Sequence, residues 1–226
     1  MPEISIIVPV LDDAHAAARL LAGLAVDPTV ELILVDGGRD SALDTLAEGR
    51  PDVSVIRTVP GRGRQLDAGA AVATGEWLWF LHADSRVPDG WRQVFTSETN
   101  AGGGWFRFAL DSPTWQARLL ERLVRWRVRV FRLPYGDQGL FVRRAVFARL
   151  GGFGQYPLME DVAFARRLLR AGPVAEPVLA LTTSARRWER DGWLRRSLRN
   201  LSLLALYGAG VSPERLARWY EEPRRR

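Results

Sequence analysis

The stretch Gly75-Glu76-Trp77-Leu78-Trp79-Phe80-Leu81-His82-Ala83-Asp84 decides the fold of this chain. It begins with a glycine, runs through five large apolar residues and then changes to a polar cluster. A short apolar run bounded by turn residues is typical of a strand buried on both faces. In open α/β sheets, ligands bind outside the carboxyl ends of such strands. Asp84 is therefore expected either to cap a turn or to handle a ligand.

Three units in which a strand is followed by a helix precede this stretch. The predicted strands are 4–10, 30–35 and 53–56, and the predicted helices are 14–25, 41–48 and 61–74. Such alternation predicts a mostly parallel sheet with right-handed crossovers and helices on its faces, which is a Rossmann-like α/β fold. Acidic residues recur where strands end, at Asp12, Asp13, Asp36 and Asp84, and together they predict a site at one edge of the sheet.

The second half of the sequence is less regular and shows no clear domain boundary. Its predicted helices are 91–98, 114–131, 144–150, 159–171, 191–207 and one that opens at 212–213. Its predicted strands are 105–110, a turn into a strand over 136–142, and 174–181. The 226 residues are therefore interpreted as a single domain, 1–226.

The composition limits the chemistry. The chain has no cysteine, so disulfides, thiolate nucleophiles and cysteine zinc sites are excluded. All 32 basic residues are arginines, the net charge is +6, and arginines concentrate in 118–132, 186–199 and 224–226. This asymmetry favours an anionic partner such as a nucleotide, a phospholipid surface or nucleic acid. The N-terminus is unlike a signal peptide and no apolar run reaches the ~20 residues of a membrane span, so a cytoplasmic location is expected.

Two glycine-containing turns are candidate binding elements. Gly61-Arg62-Gly63-Arg64 opens a helix, where backbone N–H groups and two guanidinium groups converge on an anion. Asp36-Gly37-Gly38 permits close approach of a ligand, and the Asp36 carboxylate accepts hydrogen bonds from a ribose or a base. A basic surface turn and an ordinary β-turn are the alternatives.

Two further clusters carry charge. Glu160-Asp161 begins a predicted helix. One interpretation is that the two carboxylates only complement the helix dipole; the alternative is that one of them faces a cleft and acts as a general base. Arg186-Arg187-Trp188 follows the last predicted strand, where the arginines suit a diphosphate and the indole suits stacking. The alternative for the second cluster is a basic surface loop.

Taken together, these motifs resemble a family 2 glycosyltransferase of the GT-A fold, in a compact bacterial subgroup. The resemblance runs from Ile4 to about Tyr220. It rests on these segments of the sequence: Ile6-Ile7-Val8-Pro9-Val10-Leu11-Asp12-Asp13, Leu34-Val35-Asp36-Gly37-Gly38, Gly61-Arg62-Gly63-Arg64-Gln65, Phe80-Leu81-His82-Ala83-Asp84, Gly136-Asp137-Gln138, Pro157-Leu158-Met159-Glu160-Asp161 and Ser184-Ala185-Arg186-Arg187-Trp188.

The resemblance implies an inverting, metal-assisted transfer of a sugar from a nucleoside-diphosphate sugar to a hydroxyl of a lipid or small-molecule acceptor. It implies a nucleotide-sugar-binding half over about 1–100, an acceptor and catalytic half over about 101–190, and C-terminal helices over about 191–226. Asp161 would be the general base, with Glu160 beside it, and Asp84 would hold Mg²⁺ or Mn²⁺. The donor site would comprise Pro9, Asp12, Asp13, Asp36, Arg62, Arg64, Ala83, Asp84, Arg186, Arg187 and Trp188, and the acceptor site Asp137, Gln138 and Trp188.

The sequence departs from the family pattern in the metal motif. The family motif usually has a carboxylate at its first and third positions. Here the motif is His82-Ala83-Asp84, so the first carboxylate is missing and the metal would depend on Asp84 and the diphosphate. Two other functions stay open: a sugar-nucleotide nucleotidyltransferase, and a non-catalytic basic module that binds a membrane or nucleic acid, although no nucleic-acid motif is present. Residues 194–207 predict an amphipathic helix that either lies on an anionic membrane or packs on the domain.

Overall fold

The computed structural model describes residues 2–38, 42–97 and 100–220. Nine strands are present in these ranges: β1 (Ile4–Val10), β2 (Val30–Asp36), β3 (Val53–Arg57), β4 (Trp77–Phe80), β5 (Ser85–Arg86), β6 (Gly103–Gly104), β7 (Arg107–Leu110), β8 (Phe141–Arg143) and β9 (Ala180–Thr183). The ten α-helices of the same ranges are α1 (Ala14–Ala22), α2 (Ala42–Ala47), α3 (Arg62–Val72), α4 (Arg92–Ser97), α5 (Trp115–Phe131), α6 (Arg144–Leu150), α7 (Glu160–Ala171), α8 (Arg186–Asp191), α9 (Trp193–Gly208) and α10 (Pro213–Tyr220), and a 3-10 helix spans Gly136–Gln138.

The main sheet has six strands in the order β3-β2-β1-β4-β8-β6. The first four are parallel, with Ile4 opposite both Val30 and Trp77, while β8 and β6 run antiparallel to their neighbours. A smaller sheet has the order β5-β9-β7. The prediction of an α/β fold with a mixed, mostly parallel sheet flanked by helices is confirmed.

The sheet order fixes where a site can lie. The chain moves outward from β1 to β2 and β3, and then returns so that β4 pairs with the other side of β1. The strand order thus reverses between β1 and β4, and ligands of open α/β sheets bind outside the carboxyl ends of the strands at this point. The residues that follow these two strands include Asp13 and Asp84.

Two apolar layers cover the main sheet. Alternate residues of β1 point to opposite faces, so that Ile6 packs in a layer with α1 and Ile7 in a layer with α3, α6 and α7. Helix α3 lies very close to the sheet at Gly69, where a Cβ atom would be 2.4 Å from the Ile7 Cγ2 atom. This close packing holds the first turn of α3, which carries Arg62, at the carboxyl edge.

Three predicted elements differ from the structure. The strand predicted at 105–110 is confined to β7 (Arg107–Leu110), because the chain leaves the main sheet after β6 (Gly103–Gly104) and enters the small sheet only at Arg107. The strand predicted at 174–181 is reduced to β9, since Pro177 lacks an N–H group for a sheet. The helix predicted at 191–207 is α9 preceded by a separate helix α8, and Gly192, with a φ of +86°, lies between them.

Some predictions fall on residues beyond the described ranges: the start of the helix predicted at 41–48, the end of that at 91–98 and the arginines of 224–226. Within the described part of the chain, no helix has the length and apolar character needed to cross a bilayer.

Candidate active site

A cavity of about 540 Å³ opens outside the carboxyl ends of β1 and β4. Both halves of the chain form its walls, and C-terminal helices α9 and α10 form one side. The lining residues include Pro9, Val10, Asp13, Gly61, Arg62, Gln65, His82, Ala83, Asp84, Tyr135, Gly136, Asp137, Glu160, Asp161, Arg186, Arg187, Trp188, Arg196, Asn200 and Tyr220.

An ion-pair cluster forms one wall of the cavity. Arg62, in the first turn of α3, pairs with Glu160 and with Asp161, whose Oδ2 atom is 3.1 Å from the Arg62 Nη2 atom. Glu160 is only 1% exposed. Burial raises the pKa of the Glu160 carboxyl, although the charge of Arg62 opposes this. Burial alone would lower the pKa of Arg62, but the two carboxylates raise it, so the cluster keeps its arginine charged.

The Asp161 carboxylate is held in place from three directions. Its Oδ2 atom accepts hydrogen bonds from the Gly136 backbone N–H at 2.7 Å and from Arg62, and its Oδ1 atom accepts one from the Val162 N–H at 2.8 Å. Glycine at 136 lets these groups approach closely, because a Cβ atom there would be 3.1 Å from Asp161 Oδ2 and 3.2 Å from His82 Nε2, so that one of them would have to move. The carboxylate also lies in the first turn of α7, where the helix dipole favours a negative charge.

His82 lies beside this cluster. Its Nε2 atom is 3.5 Å from the Arg62 Nη1 atom. Burial and the positive charge of Arg62 lower the pKa of His82 to about 4, so the imidazole is neutral near pH 7. A neutral imidazole adds no charge to the position where the family pattern has its first carboxylate.

The opposite wall joins the ends of β1 and β4 to helix α8. The Arg186 Nη2 atom is 2.5 Å from Asp13 Oδ2 and 3.9 Å from Asp84 Oδ2. Asp13 also caps α1, since its Oδ1 atom accepts a hydrogen bond from Ala16 N–H at 3.2 Å. Burial works against ionisation of Asp13, but the contact with Arg186 outweighs it and lowers the pKa.

Asp137 is a buried carboxylate that faces the same cavity. Within the described ranges its Oδ1 atom has no hydrogen-bond partner. Burial raises the pKa of Asp137 to about 6, against the effect of the nearby Arg127 charge. The Arg127 guanidinium lies over the Tyr135 ring at 3.7 Å, and burial raises the pKa of that phenol to about 12. Asp137 thus offers an unused acceptor atom to a ligand.

Trp188 is mostly buried rather than displayed on a loop. It belongs to α8, packs edge-on against Phe108 at 6.2 Å between ring centroids, and lies under the Arg196 guanidinium at 5.5 Å. These residues thus form a helix rather than the loop of the alternative interpretation, with Arg186 and Arg187 exposed and Trp188 as their apolar anchor. Part of Trp188 lines the cavity.

Four residues predicted for the site do not line this cavity: Asp12, Asp36, Arg64 and Gln138. Asp36 is fully buried, and its Oδ1 atom accepts a hydrogen bond from Gly38 N–H at 2.7 Å. Arg64 is exposed to solvent. Gln138 is buried and braces the turn through its Nε2 hydrogen bond to the Phe106 carbonyl at 3.1 Å. The structure brings the remaining predicted residues together.

The sequence analysis missed several residues of the cavity. Gln65 is buried and donates hydrogen bonds to the carbonyls of Val10 at 2.9 Å and Val35 at 2.8 Å, so it fixes the ends of β1 and β2. The sequence signal for Gln65 is its position as a polar residue in the first turn of a glycine-rich helix. Tyr135, Arg196, Asn200 and Tyr220 were also missed, and their sequence carries no local signal of a shared wall.

The cavity has few ligands for a divalent cation. The described residues contain no group of three or more His, Asp or Glu side chains arranged to hold a metal. The Asp84 carboxylate nevertheless lines the cavity, and the guanidinium of Arg186 lies 3.9 Å from it. Mg²⁺ commonly takes one or two protein carboxylates, several waters and substrate phosphates. This donor set fits such an ion provided that a diphosphate completes it.

Comparisons with known proteins give the class of the chain. Residues 5–102 match the family model "Glycosyl transferase family 2". A search of curated proteins gave no match. Among solved structures, the mannosyltransferase PcManGT of Pyrobaculum calidifontis in complex with GDP-Man and Mn²⁺ is similar, with a TM-score of 0.61 and 19% identity over 80% of this chain. TarS of S. aureus is similar with a TM-score of 0.61 and 14% identity over 81% of this chain, and its fragment 1–349 with a TM-score of 0.64 and 16% identity over 82%.

These relationships define the fold as GT-A. The segment 5–102, which matches the family 2 model, contains most of β1 and all of β2 to β4, with Asp13, Arg62 and Asp84. The chain spans 56% of the length of PcManGT, 37% of TarS and 61% of the TarS fragment.

Proposed function

We propose that the chain transfers a sugar from a nucleoside-diphosphate sugar to an acceptor hydroxyl, with inversion at the anomeric carbon and Asp161 as general base. The observation that supports this most strongly is the position of the Asp161 carboxylate. It is fixed by Gly136 and Arg62 in a cavity that Asp84 also lines. A general base must have a defined position within reach of the proton that it removes.

In the proposed reaction, the acceptor oxygen attacks the anomeric carbon from the face opposite the diphosphate. The hydroxyl proton passes to the Asp161 carboxylate as the new C–O bond forms. The bond between the anomeric carbon and the diphosphate oxygen breaks, and the diphosphate leaves with the electron pair. A single displacement needs no covalent intermediate on the protein.

The leaving group would lie among the positive charges of the cavity. Arg62 enters from one wall and Arg186 and Arg187 from the other. Guanidinium groups form paired hydrogen bonds to phosphate, and donors placed where charge develops lower the barrier. Mg²⁺ or Mn²⁺ bound by Asp84 would neutralise charge on the diphosphate. PcManGT, whose structure contains GDP-Man and Mn²⁺, supports this class of donor and metal.

The nucleoside and the acceptor are assigned to different parts of the site. Pro9 and Asp13 line the cavity at the end of β1 and would receive the nucleoside, with Ala83 near the diphosphate. Asp12 and the buried Asp36 lie outside this lining and would support it. Asp12 and Asp36 lie beside each other, since a Cβ atom at Gly38 would be 2.7 Å from Asp12 Oδ1 and 3.3 Å from Asp36 Oδ1. Asp137 and Trp188 would contact the acceptor, and Gln138 would support them from behind.

The test is a thermal-shift screen with UDP-, GDP- and dTDP-sugars in the presence of Mn²⁺, followed by measurement of nucleoside diphosphate release with candidate acceptors. Stabilisation by one sugar nucleotide and release of its diphosphate support the proposal. Release of pyrophosphate from a nucleoside triphosphate would instead identify a nucleotidyltransferase. Salt-sensitive binding to DNA without binding of any sugar nucleotide would identify a non-catalytic basic module.

A further inference from the structure

Helix α5 has a second apolar face that no described residue covers. Its inner face packs on the protein through Ala117, which is fully buried, and Val128. Its outer side carries five large apolar side chains that are between 44% and 70% exposed: Trp115, Leu119, Leu123, Trp126 and Val130. A surface helix normally has one apolar face, directed at the core. The second apolar face of α5 therefore does not contribute to the core, which suggests that it contacts a partner.

The five exposed side chains form one stripe, which we call the outer stripe of α5. They are separated along the sequence by four, four, three and four residues. Residues at these spacings lie on one side of a helix. At 1.5 Å per residue the stripe extends for about 22 Å along the helix.

Arginines accompany the outer stripe along one flank. Arg122, Arg125 and Arg129 are exposed and follow each other at helical spacings, while Arg118, one turn earlier, is held by Glu121 and by backbone carbonyls. The only acidic residue of α5 is Glu121, which is buried, accepts a hydrogen bond from Leu110 N–H at 2.8 Å and pairs with Arg118. The exposed surface of α5 is thus apolar and positive, without a compensating carboxylate of its own.

This composition points to one kind of partner. Trp side chains favour the boundary between water and lipid, and arginines beside an apolar helix face bind anionic headgroups. A second copy of this chain fits less well, because a two-fold interface would bring the same arginine row against itself. We propose that the outer stripe of α5 docks on an anionic lipid surface, with its arginines on the headgroup phosphates.

Helix α9, for which membrane contact was predicted from the sequence, is a weaker candidate. It also exposes leucines, namely Leu194, Leu198 and Leu201. Its arginines are mostly engaged within the protein, however. Arg196 is buried and its Nη1 atom is 2.5 Å from Asp191 Oδ2, while Arg199 lies over the Tyr220 ring at 5.0 Å.

The inner face of α5 connects this surface to the cavity. Ala117 packs in one cluster with Ala185 and Trp188, and Arg127 lies over Tyr135. Trp188 and Tyr135 both line the cavity. A docked α5 would hold the site close to the bilayer. The docking proposal itself does not depend on sugar transfer and can be measured without it.

The experiment is co-sedimentation of the full chain with vesicles of phosphatidylcholine alone and of phosphatidylcholine mixed with phosphatidylglycerol. The wild-type chain should bind only the mixed vesicles, and more weakly as salt is added. The variant Trp115→Gln/Trp126→Gln should bind at least about tenfold more weakly, since two interfacial side chains are lost. Val72→Gln/Val178→Gln is the matched control, because it changes two exposed apolar residues elsewhere and should bind as the wild type does.

Thermal unfolding of each variant establishes that it is folded, and Leu119→Gln/Leu123→Gln is the second test if the tryptophan variant is not. Reduced binding by Arg122→Gln/Arg125→Gln/Arg129→Gln would support the role of the charges. The proposal is overturned if the wild-type chain does not bind the mixed vesicles, or if folded outer-stripe variants bind them as tightly as the wild type does. It is also overturned if the chain is a dimer that the tryptophan variant dissociates and that does not bind vesicles.

Discussion

Arg62 and Asp161 form an ion pair, 3.1 Å between Nη2 and Oδ2, that joins the two halves of the chain. Arg62 lies in the segment 5–102 that matches the glycosyl transferase family 2 model, and Asp161 lies outside it. The contact therefore places the proposed general base against the part of the fold that would bind the donor. It also holds two buried carboxylates beside one guanidinium, since Glu160 shares the same arginine.

Removal of Arg62 should destabilise the protein. Arg62→Ala leaves Glu160 and Asp161 without their counter-charge, and breaking a buried pair from one side costs on the order of 3 kcal/mol. Combining it with Glu160→Gln should recover part of the loss, because one fewer buried charge is unpaired. The measurement is the free energy of unfolding in urea.

The matched control is Arg190→Ala, which removes an arginine from an exposed ion pair with Asp191. Its cost should be much smaller than that of Arg62→Ala, because the exposed guanidinium of Arg190 is solvated in the folded protein. Equal free energies of unfolding for Arg62→Ala and the wild type would contradict the structural role of the cluster.

Asp137 should make stability depend on pH. Its pKa is raised to about 6 by burial, above the ordinary value of 3.8 that it has in the unfolded chain. The folded state thus binds this proton more tightly, and the stability it contributes is present below pH 4 and lost as pH rises through 6. Asp137→Asn should abolish this loss and be more stable than the wild type at pH 8, by about 1–2 kcal/mol.

The check is the difference in urea unfolding free energy between variant and wild type at pH 5 and pH 8. It should grow with pH. Asp89→Asn, at an exposed position, should show no such trend. A constant difference for Asp137→Asn across this range would rule out an ionised, unpaired carboxylate at this position.

Asp84 should couple donor binding to the metal. Asp84→Asn removes the carboxylate proposed to hold Mg²⁺ or Mn²⁺, so donor binding should no longer differ between Mn²⁺ and EDTA. The wild-type chain should bind the sugar nucleotide more tightly with Mn²⁺. Calorimetric titration under both conditions measures this. An Asp84→Asn variant that keeps the full metal-dependent gain would refute the assignment.

The strand pattern predicted the sheet and the edge at which the cavity lies, but not which side chains enter the cavity. Arg62 and Arg64 were both assigned to the donor site from their turn. Two residues apart on a helix, their side chains point about 200° apart, so Arg62 faces the cavity while Arg64 faces solvent. The local sequence could not decide between them, because the orientation of α3 is set by its packing at Gly69.

The sequence pattern does not predict contacts between segments that are distant in the chain. The Glu160-Asp161 pair was recognised at the start of its helix, but its partners are Arg62 and Gly136, which lie far away in the chain. The same holds for α9 and α10, whose side chains complete a wall with no motif of their own. The change of sheet between β6 and β7 likewise depends on pairing with the distant strands β8 and β9.

The most direct test of the proposed function compares Asp161→Asn with the wild type in both donor binding and turnover. Asparagine keeps the shape of the side chain and an acceptor oxygen, but it cannot take a proton at neutral pH. Asp89→Asn is the control for loss of a surface carboxylate. We predict unchanged donor affinity and a rate of sugar transfer lower by about 10²–10⁴-fold. A folded Asp161→Asn variant that turns over at nearly the wild-type rate would contradict the account.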